Sequence, residues 1–379
     1  MNNLQQLSAL ALWGACVLYA IAMVAYAVRL SRVAELKGTA ASDKVAVSVG
    51  AEAAHASSLS SASSVTSQSS SSSPQSSSSH GGPAATQVRV GKRSSATAQQ
   101  PSAPKNGGDD RATKALGIAL SATFVGAILQ GIGVAARGIE AGHVPWSTMY
   151  EYTISGSLVA VVVFLVVQRK RDVAYLGAGV TGLATIALGL GLTVLYQDAT
   201  GLQPALQSFW LVIHVSVATI ATGIFGVGFV ATILQLLRDY RVSEPRQVNN
   251  RFLRMFHTPG VRVIKGNRFR FLEAVPTPKK LEALAFRLNA VGFVLWTFTV
   301  MAGAIWAEHA WGRYWGWDPK EIWSFVIWVI YAAYLHARST QGWAGRRSAY
   351  VAVAGFVAII MNFTIVNLVF QGLHSYAKA

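Results

Sequence analysis

Residues 209–237 read FWLVIHVSVATIATGIFGVGFVATILQLL and contain no Asp, Glu, Lys or Arg. A helix needs about 20 apolar residues to cross the hydrocarbon core of a bilayer, because each residue adds about 1.5 Å. This stretch therefore predicts a transmembrane helix. Further apolar runs have the same character, and we expect an all-α fold, a polytopic transmembrane helical bundle of about eight spans. The predicted spans lie near Leu7–Leu30, Leu116–Val134, Tyr150–Gln168, Ala174–Tyr196, Phe209–Leu237, Leu288–Trp306, Ile322–Ala337 and Ala349–Phe370.

The composition supports the membrane assignment. The 379 residues are 52% hydrophobic and 13% charged, whereas a soluble domain carries about 25% charged residues. The net charge of +16 does not indicate a nucleic-acid partner, because the Lys and Arg residues lie between the apolar runs. The single cysteine, Cys16, excludes an internal disulfide framework and a thiolate metal cluster built by this chain alone.

The basic residues also predict the orientation. Cytoplasmic loops of membrane proteins are the basic ones, and alternate loops of this chain hold nearly all the Lys and Arg residues. The other loops and the C-terminal tail hold only Arg137, Arg313, Lys320 and Lys378. We therefore expect the N-terminus outside. The segments expected on the extracytoplasmic side are the C-terminus and the loops around His143, Gln203 and Trp311–Glu321.

Three segments differ in composition. We predict an N-terminal transmembrane helix over 1–37, a disordered Ser-rich cytoplasmic linker over 38–113 and a transmembrane core over 114–379. Within the linker, 16 of the 23 residues from Ser57 to Ser79 are serine. Such a segment buries too little apolar surface to offset its chain entropy, so we place no chemistry in it.

The stretch between the sixth and seventh predicted spans is rich in aromatic residues. Residues 306–323 read WAEHAWGRYWGWDPKEIW and hold five Trp and one Tyr. An interfacial aromatic belt needs fewer rings, and the interleaved glycines let the backbone approach a flat partner. Arg313 and Lys320 add cations beside the rings. This composition suits a planar, apolar ligand with anionic groups at one edge, and haem with its two propionates has that chemistry.

Histidines are the natural axial ligands for haem iron. His214 lies about five residues into the fifth span, and His374 lies a few residues beyond the last one. Both are therefore expected near the outer interface, at the level of the Trp-rich loop. His336 follows Ile322 by fourteen residues, which places it roughly 21 Å deeper. We expect an outer histidine pair and a separate inner histidine.

Other histidines and one glutamate are less specific candidates for the predicted site. His143 and His309 lie in outer loops, where a solvated role is more frequent than ligation, and His257 lies in a basic loop without an assigned role. Glu151 opens the third span from the outside. Three roles fit it: pairing with a cation, capping the helix start, or lining the outer site.

The Trp-rich loop and its surroundings resemble a known family. Residues 311–321, WGRYWGWDPKE, are similar to the WWD signature of haem-handling membrane proteins. Further stretches agree with the CcsA/ResC branch, the System II cytochrome c biogenesis proteins. These stretches are 146–152, 209–216, 331–338 and 372–376, and the resemblance covers about Leu116 to Ala377.

The resemblance implies a set of site residues. In such proteins two outer histidines flanking the loop ligate haem iron, which implies His214 and His374 here. The histidine that follows the loop belongs to an inner haem site, which implies His336 as an iron ligand there. The loop residues expected to bind the cofactor are Trp311, Arg313, Trp315, Trp317, Asp318 and Glu321.

The resemblance also implies cofactor, partners and location. Haem b would be bound in transit and presented on the outer face of the plasma membrane for covalent attachment to apocytochrome c with a CxxCH site. Residues 114–379 would be the haem-handling core. The chain would act with a ResB/Ccs1-type membrane subunit in a holocytochrome c synthase, or haem lyase, complex.

Two alternatives remain from the residues alone. An exporter of haem or another small planar anion would have no synthase activity, and it would need alternating access, for which we see no internal repeat. A quinone-linked b-type cytochrome would stack paired histidines at two depths, whereas this chain has one inner histidine, His336.

Overall fold

The structure is a computed structural model. It describes residues 3–65, 107–199, 201–202, 206–243, 262–340 and 342–374, with the backbone alone at 41–65 and 107–108. These residues form helices joined by short connections, and no strand occurs among them. The helices are α1 (Asn3–Val65), α2 (Gly107–Ala141), α3 (Met149–Lys170), α4 (Gly177–Thr193), α5 (Phe209–Val242), α6 (Pro278–Trp311), α7 (Pro319–Ser339), α8 (Arg346–Phe363) and α9 (Ile365–Val369). Two 3₁₀ segments, Ala174–Leu176 and Asn267–Glu273, precede α4 and α6.

The helices confirm the predicted all-α membrane bundle. Seven helical stretches are long and apolar enough to cross a bilayer, and they include every predicted span except the seventh. That span corresponds to α7, a helix of 21 residues that is less apolar because it carries the end of the Trp-rich stretch.

The chain divides into two compact units. One comprises Met1–Leu36 and Gly108–Ala379, and the other comprises Lys37–Gly107. In the second unit α1 continues to Val65, so residues 38–65, which we predicted to be disordered, are helical. The rest of the predicted disordered tract, 66–106, lies outside the described residues.

Helix α5 is the centre of the larger unit. Of its most apolar window, 67% is buried inside the protein, which explains why its sequence is apolar all round. It packs against α3, α6 and α8. At Gly223 an added Cβ would lie 3.0 Å from the backbone N of Ala160, so the absence of a side chain allows α3 and α5 to approach closely.

The apolar core has two main parts that meet on α5. Residues of α1–α6 form one cluster, which includes Tyr26, Phe164 and Val227. Residues of α5–α8 form the other, which includes Phe225 and Tyr331. A cavity of about 710 Å³ is lined by α3 and α4 together with α5, α6, α7 and α8, and it extends to the segment after α9. Its volume is in the range of cofactor sites.

Candidate functional site

The Trp loop, residues 312–318, joins α6 to α7. Gly312 ends α6 in the left-handed region with φ 69°, and Trp317 has φ 59°, the one positive φ among the described non-glycine residues. Such a conformation persists in a bulky residue only when the surroundings impose it. Asp318 is the N-cap of α7 and forms a capping box with Glu321, which provides that constraint.

Glu321 holds the Trp loop in shape. Its carboxylate accepts hydrogen bonds from the backbone N–H groups of Gly316 at 2.8 Å and Asp318 at 3.1 Å. The guanidinium of Arg313 donates to the other oxygen at 3.3 Å and packs over Gly316, where a side chain would collide with it. Arg313 and Glu321, both predicted to bind the cofactor, thus bind each other.

Asp318 joins the Trp loop to the C-terminal segment. It accepts hydrogen bonds from the backbone N–H of Lys320 at 3.1 Å and of Leu373 at 2.7 Å, and from Nδ1 of His374 at 2.9 Å. Gly372 makes this approach possible, because a Cβ there would collide with the carboxylate. Burial acts to raise the pKa of Asp318, but the hydrogen bond from His374 and the two backbone N–H donors lower it overall.

The bond to Asp318 determines which nitrogen of His374 stays open. A carboxylate only accepts hydrogen bonds, so Nδ1 is the donor, and in the neutral imidazole Nε2 then keeps its lone pair. Metal-binding histidines are oriented by carboxylates in this way. The His374 side chain is 17% exposed, and its ring makes edge contacts with Trp311 at 4.7 Å and Trp306 at 5.3 Å between centroids.

His214, on α5, is oriented by α6 in an equivalent manner. Its Nδ1 lies 2.9 Å from the carbonyl oxygen of Thr299, so Nδ1 donates and Nε2 again keeps a lone pair. A Cβ at Gly303 would lie 2.7 Å from the imidazole Cε1. The ring fits because this position is glycine.

Trp306 brings the two imidazoles together. Its side chain is 1% exposed, and its ring lies parallel to His214 with centroids 6.0 Å apart while also contacting His374. All three side chains line the cavity. We did not assign Trp306 from the sequence, although Thr299, Gly303 and Trp306 share one helix face by their spacing of four and three.

The remaining loop residues divide between the cavity and the surface. Trp315 and Lys320 line the cavity, and Arg313 does not. Lys320 Nζ donates to the carbonyl oxygen of Asn362 at 2.8 Å. Trp317 is 70% exposed and contacts the edge of Trp315.

His336 lies apart from the outer pair. It is in the last turn of α7, exposed, and on the same face as the exposed residues Phe325 and Val329. Its ring has no hydrogen-bond partner among the described residues and does not line the cavity.

Glu151 belongs to a closed network where the C-terminal end of α2 meets the N-terminal end of α3. Its carboxylate, 1% exposed, pairs with Arg137 Nε at 3.0 Å and accepts hydrogen bonds from Ser147 N and Oγ at 3.1 and 2.8 Å. Thr148 caps the helix by accepting from the Glu151 N–H. Of the three roles considered for Glu151, cation pairing is realised.

The other histidines are separate from this pair. His143 Nδ1 lies 4.0 Å from Glu151, and His309 Nδ1 lies 2.9 Å from the Ile305 carbonyl oxygen of its own helix. Neither lines the cavity. His257 lies outside the described residues.

The donor set suits haem better than a bare metal ion. The described residues contain no group of three or more His, Cys, Asp or Glu that could hold a metal ion. Two imidazoles on one apolar cavity instead match an iron whose other four ligands come from a macrocycle. The residues present therefore fit haem.

Comparison with known proteins identifies a family and several similar proteins. The model of a family described as Cytochrome C assembly protein matches residues 146–374, from the cavity wall at Trp146 to His374. A protein named Cytochrome c biogenesis protein CcsA from Parasynechococcus marenigrum (strain WH8102) is 38% identical over 249 residues, 63% of this chain and 80% of that one. Proteins of the same name from Prochlorococcus marinus (strain MIT 9313) and Guillardia theta are 34% and 33% identical, over 72% and 68% of this chain and 86% and 85% of theirs.

Proposed function

This chain belongs to the cytochrome c assembly protein family, and we propose that it is the haem-handling subunit of a membrane cytochrome c synthase complex. The observation that supports this most directly is the arrangement of His214 and His374. In each histidine Nδ1 is hydrogen-bonded to a protein oxygen and Nε2 is free to bind a ligand. Both imidazoles contact the buried indole of Trp306, and all three side chains line the same cavity.

The residues of the site orient the substrates. His214 and His374 would hold haem b by its iron, and Trp306 and Trp315, which line the same cavity, would contact its apolar surface. Haem supplies vinyl groups, and each apocytochrome thiol adds its S–H across one C=C bond without net oxidation. Among the described residues no thiol lines the cavity, since Cys16 is buried elsewhere, so the contribution that we assign to this chain in the haem lyase complex is proximity and alignment.

Haem absorbance of the purified full-length chain tests the site. We expect a low-spin, six-coordinate spectrum from haem-replete cells. His214→Ala and His374→Ala should each lose this spectrum, and added imidazole should restore part of it. His309→Ala is the matched control, because His309 bonds only within its own helix end. Unchanged haem content and spectrum in both site variants would contradict the proposal.

We propose that the chain lies in the plasma membrane with the Trp loop outside. Tyr314 is 62% exposed, and Asp172, on the opposite side of the bundle, has a side chain 72% exposed. In a Cys16→Ser background, an impermeant maleimide should label Tyr314→Cys in intact cells and Asp172→Cys only after lysis. The reverse pattern would invert the orientation.

We propose that a ResB/Ccs1-type subunit covers the face of α7 that carries His336. This histidine is exposed and lacks a partner among the described residues, so a second subunit can supply the other iron ligand. The complex should then carry more haem than this chain alone, and His336→Ala should abolish the difference. Equal haem content in both preparations would exclude the shared site.

Haem export without synthesis is the second candidate. One observation favours passage: the cavity continues from the histidine pair to Val180, Val227 and Trp296, well toward the inner side. The two candidates differ in product. A synthase complex reconstituted with reduced apocytochrome c and haem yields thioether-linked cytochrome, whereas an exporter delivers free haem only.

We propose that 1–37 and 114–379 act as a membrane helix and a haem-handling core, joined by 38–113 as a cytoplasmic linker. The core contains every residue assigned to the site. Deletion of 66–106 should leave haem binding unchanged, and loss of the spectrum would place a function in the linker.

A further inference from the structure

Lys320 is a cation facing the cavity without a carboxylate partner. Its ammonium group has three N–H donors, and one of them bonds to the carbonyl oxygen of Asn362 at 2.8 Å. Among the described residues, no Asp or Glu oxygen lies within 4.0 Å of Lys320 Nζ. A partly buried charge is costly unless it is paired, so the side chain suits an anion in the cavity.

Asn362 presents a second unused polar group at the same place. It lies near the outer end of α8, is 9% exposed and lines the cavity, and its Oδ1 has no hydrogen-bond partner among the described residues. A buried amide left in this state is unfavourable. Since the two ends of an Asn amide are interchangeable by a flip, the same side chain can donate an N–H to an anion.

The neighbouring charges do not neutralise Lys320. Asp318 is occupied by His374 and two backbone N–H groups, and Glu321 is occupied by Arg313 and two others. Arg313, the other cation of the loop, is thereby compensated and lies off the cavity. Among the described residues that line the cavity, Lys320 is left as the cation available to a ligand.

We propose that Lys320 and Asn362 form a carboxylate-binding subsite. The subsite rests on the proposed haem function, and its ligand is the propionate edge of the macrocycle. The iron is then held from α5 and the C-terminal segment, and the anionic edge from α7 and α8. Such an arrangement fixes the rotation of the macrocycle in its own plane, so that the vinyl groups lie away from Lys320.

Paired titrations with haem and with its dimethyl ester test the subsite. The ester keeps the iron and the ring but has no carboxylates. The purified full-length chain should bind haem at least about tenfold more tightly than the ester. Lys320→Met should remove most of this preference, and Asn362→Leu should reduce it by a smaller factor. Lys320→Arg should retain most of it, since the charge remains.

The ester titration also reports whether each variant folds. Affinity for the ester and its low-spin spectrum should be the same in the wild type and in the variants, because the histidine pair is intact. Lys170→Met, which removes an exposed charge at the far end of α3, is the control and should keep the preference. An undiminished preference in Lys320→Met and Asn362→Leu overturns the subsite alone. Binding of neither ligand by the wild type overturns the proposed function with it.

Discussion

Two buried carboxylates, Glu151 and Asp318, each join two segments of the bundle, but in different ways. Glu151 joins α2 to α3 through Arg137 and Ser147, and it does not line the cavity. Asp318 joins the Trp loop to the C-terminal segment, and one of its partners is an imidazole that does line the cavity. We call the Glu151 group closed, because Glu151 and its principal partners, Arg137 and Ser147, are bonded to one another. The second is open, because the Nε2 of His374 remains available.

This difference separates a structural network from a binding site. Both carboxylates are more than 90% buried, both accept several hydrogen bonds, and both lie at the start of a helix. Burial and charge therefore do not distinguish them. What distinguishes them is whether a side chain with unused ligand capacity is oriented by the carboxylate, as metal-binding histidines are.

The largest expected effect is on stability, from breaking the closed group. Glu151→Leu removes the closest carboxylate from buried Arg137, which keeps the Gln197 carbonyl oxygen at 2.9 Å and Glu140 at 3.9 Å, and we expect a loss of up to about 3–5 kcal/mol. The double variant Arg137→Met/Glu151→Leu should recover most of it. Thermal unfolding in detergent measures both. If the single variant were as stable as the wild type, the pair would not hold α2 to α3.

The next effect is on ligand affinity, from weakening the open group. Asp318→Asn keeps the shape of the side chain but removes the charge that orients His374, so haem affinity should fall about 10–100-fold. Stability should fall by only about 1 kcal/mol. Glu151→Gln, the same change in the closed group, should leave the haem affinity of the folded protein unaltered. Equal losses of haem affinity in Asp318→Asn and Glu151→Gln would contradict the assignment of Asp318 to the binding site and of Glu151 to a structural network.

A change at Gly303 tests the binding site at His214, the second imidazole of the cavity. In Gly303→Ala the new Cβ would lie 2.7 Å from the imidazole, so the ring must shift and the bound iron should become partly high-spin. Gly189→Ala is the control, since nothing lies within 4 Å of its Cβ, and stability there should rise by up to about 1 kcal/mol. Absorbance spectra of haem bound to the two variants measure the high-spin fraction. An equal fraction in Gly303→Ala and Gly189→Ala would contradict this expectation.

The smallest expected effect is at Trp317. Its ring is 70% exposed and does not line the cavity, so Trp317→Gly should change haem affinity of the isolated chain less than about twofold. Relief of the positive φ should offset the lost contact with Trp315. Trp306→Ala, in contrast, removes the ring that contacts both histidines and should abolish low-spin binding. A large loss in Trp317→Gly would extend the site beyond the cavity.

The sequence alone predicted the helices and misjudged one boundary. Span positions follow from the length of apolar runs, which is a local property. Each predicted span coincides with helical structure to within a few residues at its ends, although the last one is divided between α8 and α9. The segment 38–65 was expected to be disordered on composition, yet α1 continues to Val65. A Ser-rich composition indicates that a segment can bury little apolar surface. It does not exclude a helix that continues from a preceding transmembrane segment.

For this protein, the amino-acid order by itself determined the membrane bundle, the Trp-rich loop and the identity of the histidines to consider. Only the tertiary structure decided that Trp306 contacts both His214 and His374, that Asp318 is bound to a histidine 56 residues away, and that Lys320 rather than Arg313 faces the cavity. Apolar periodicity is set by neighbours along the chain, whereas the direction and partner of a polar side chain depend on helices that meet only after folding.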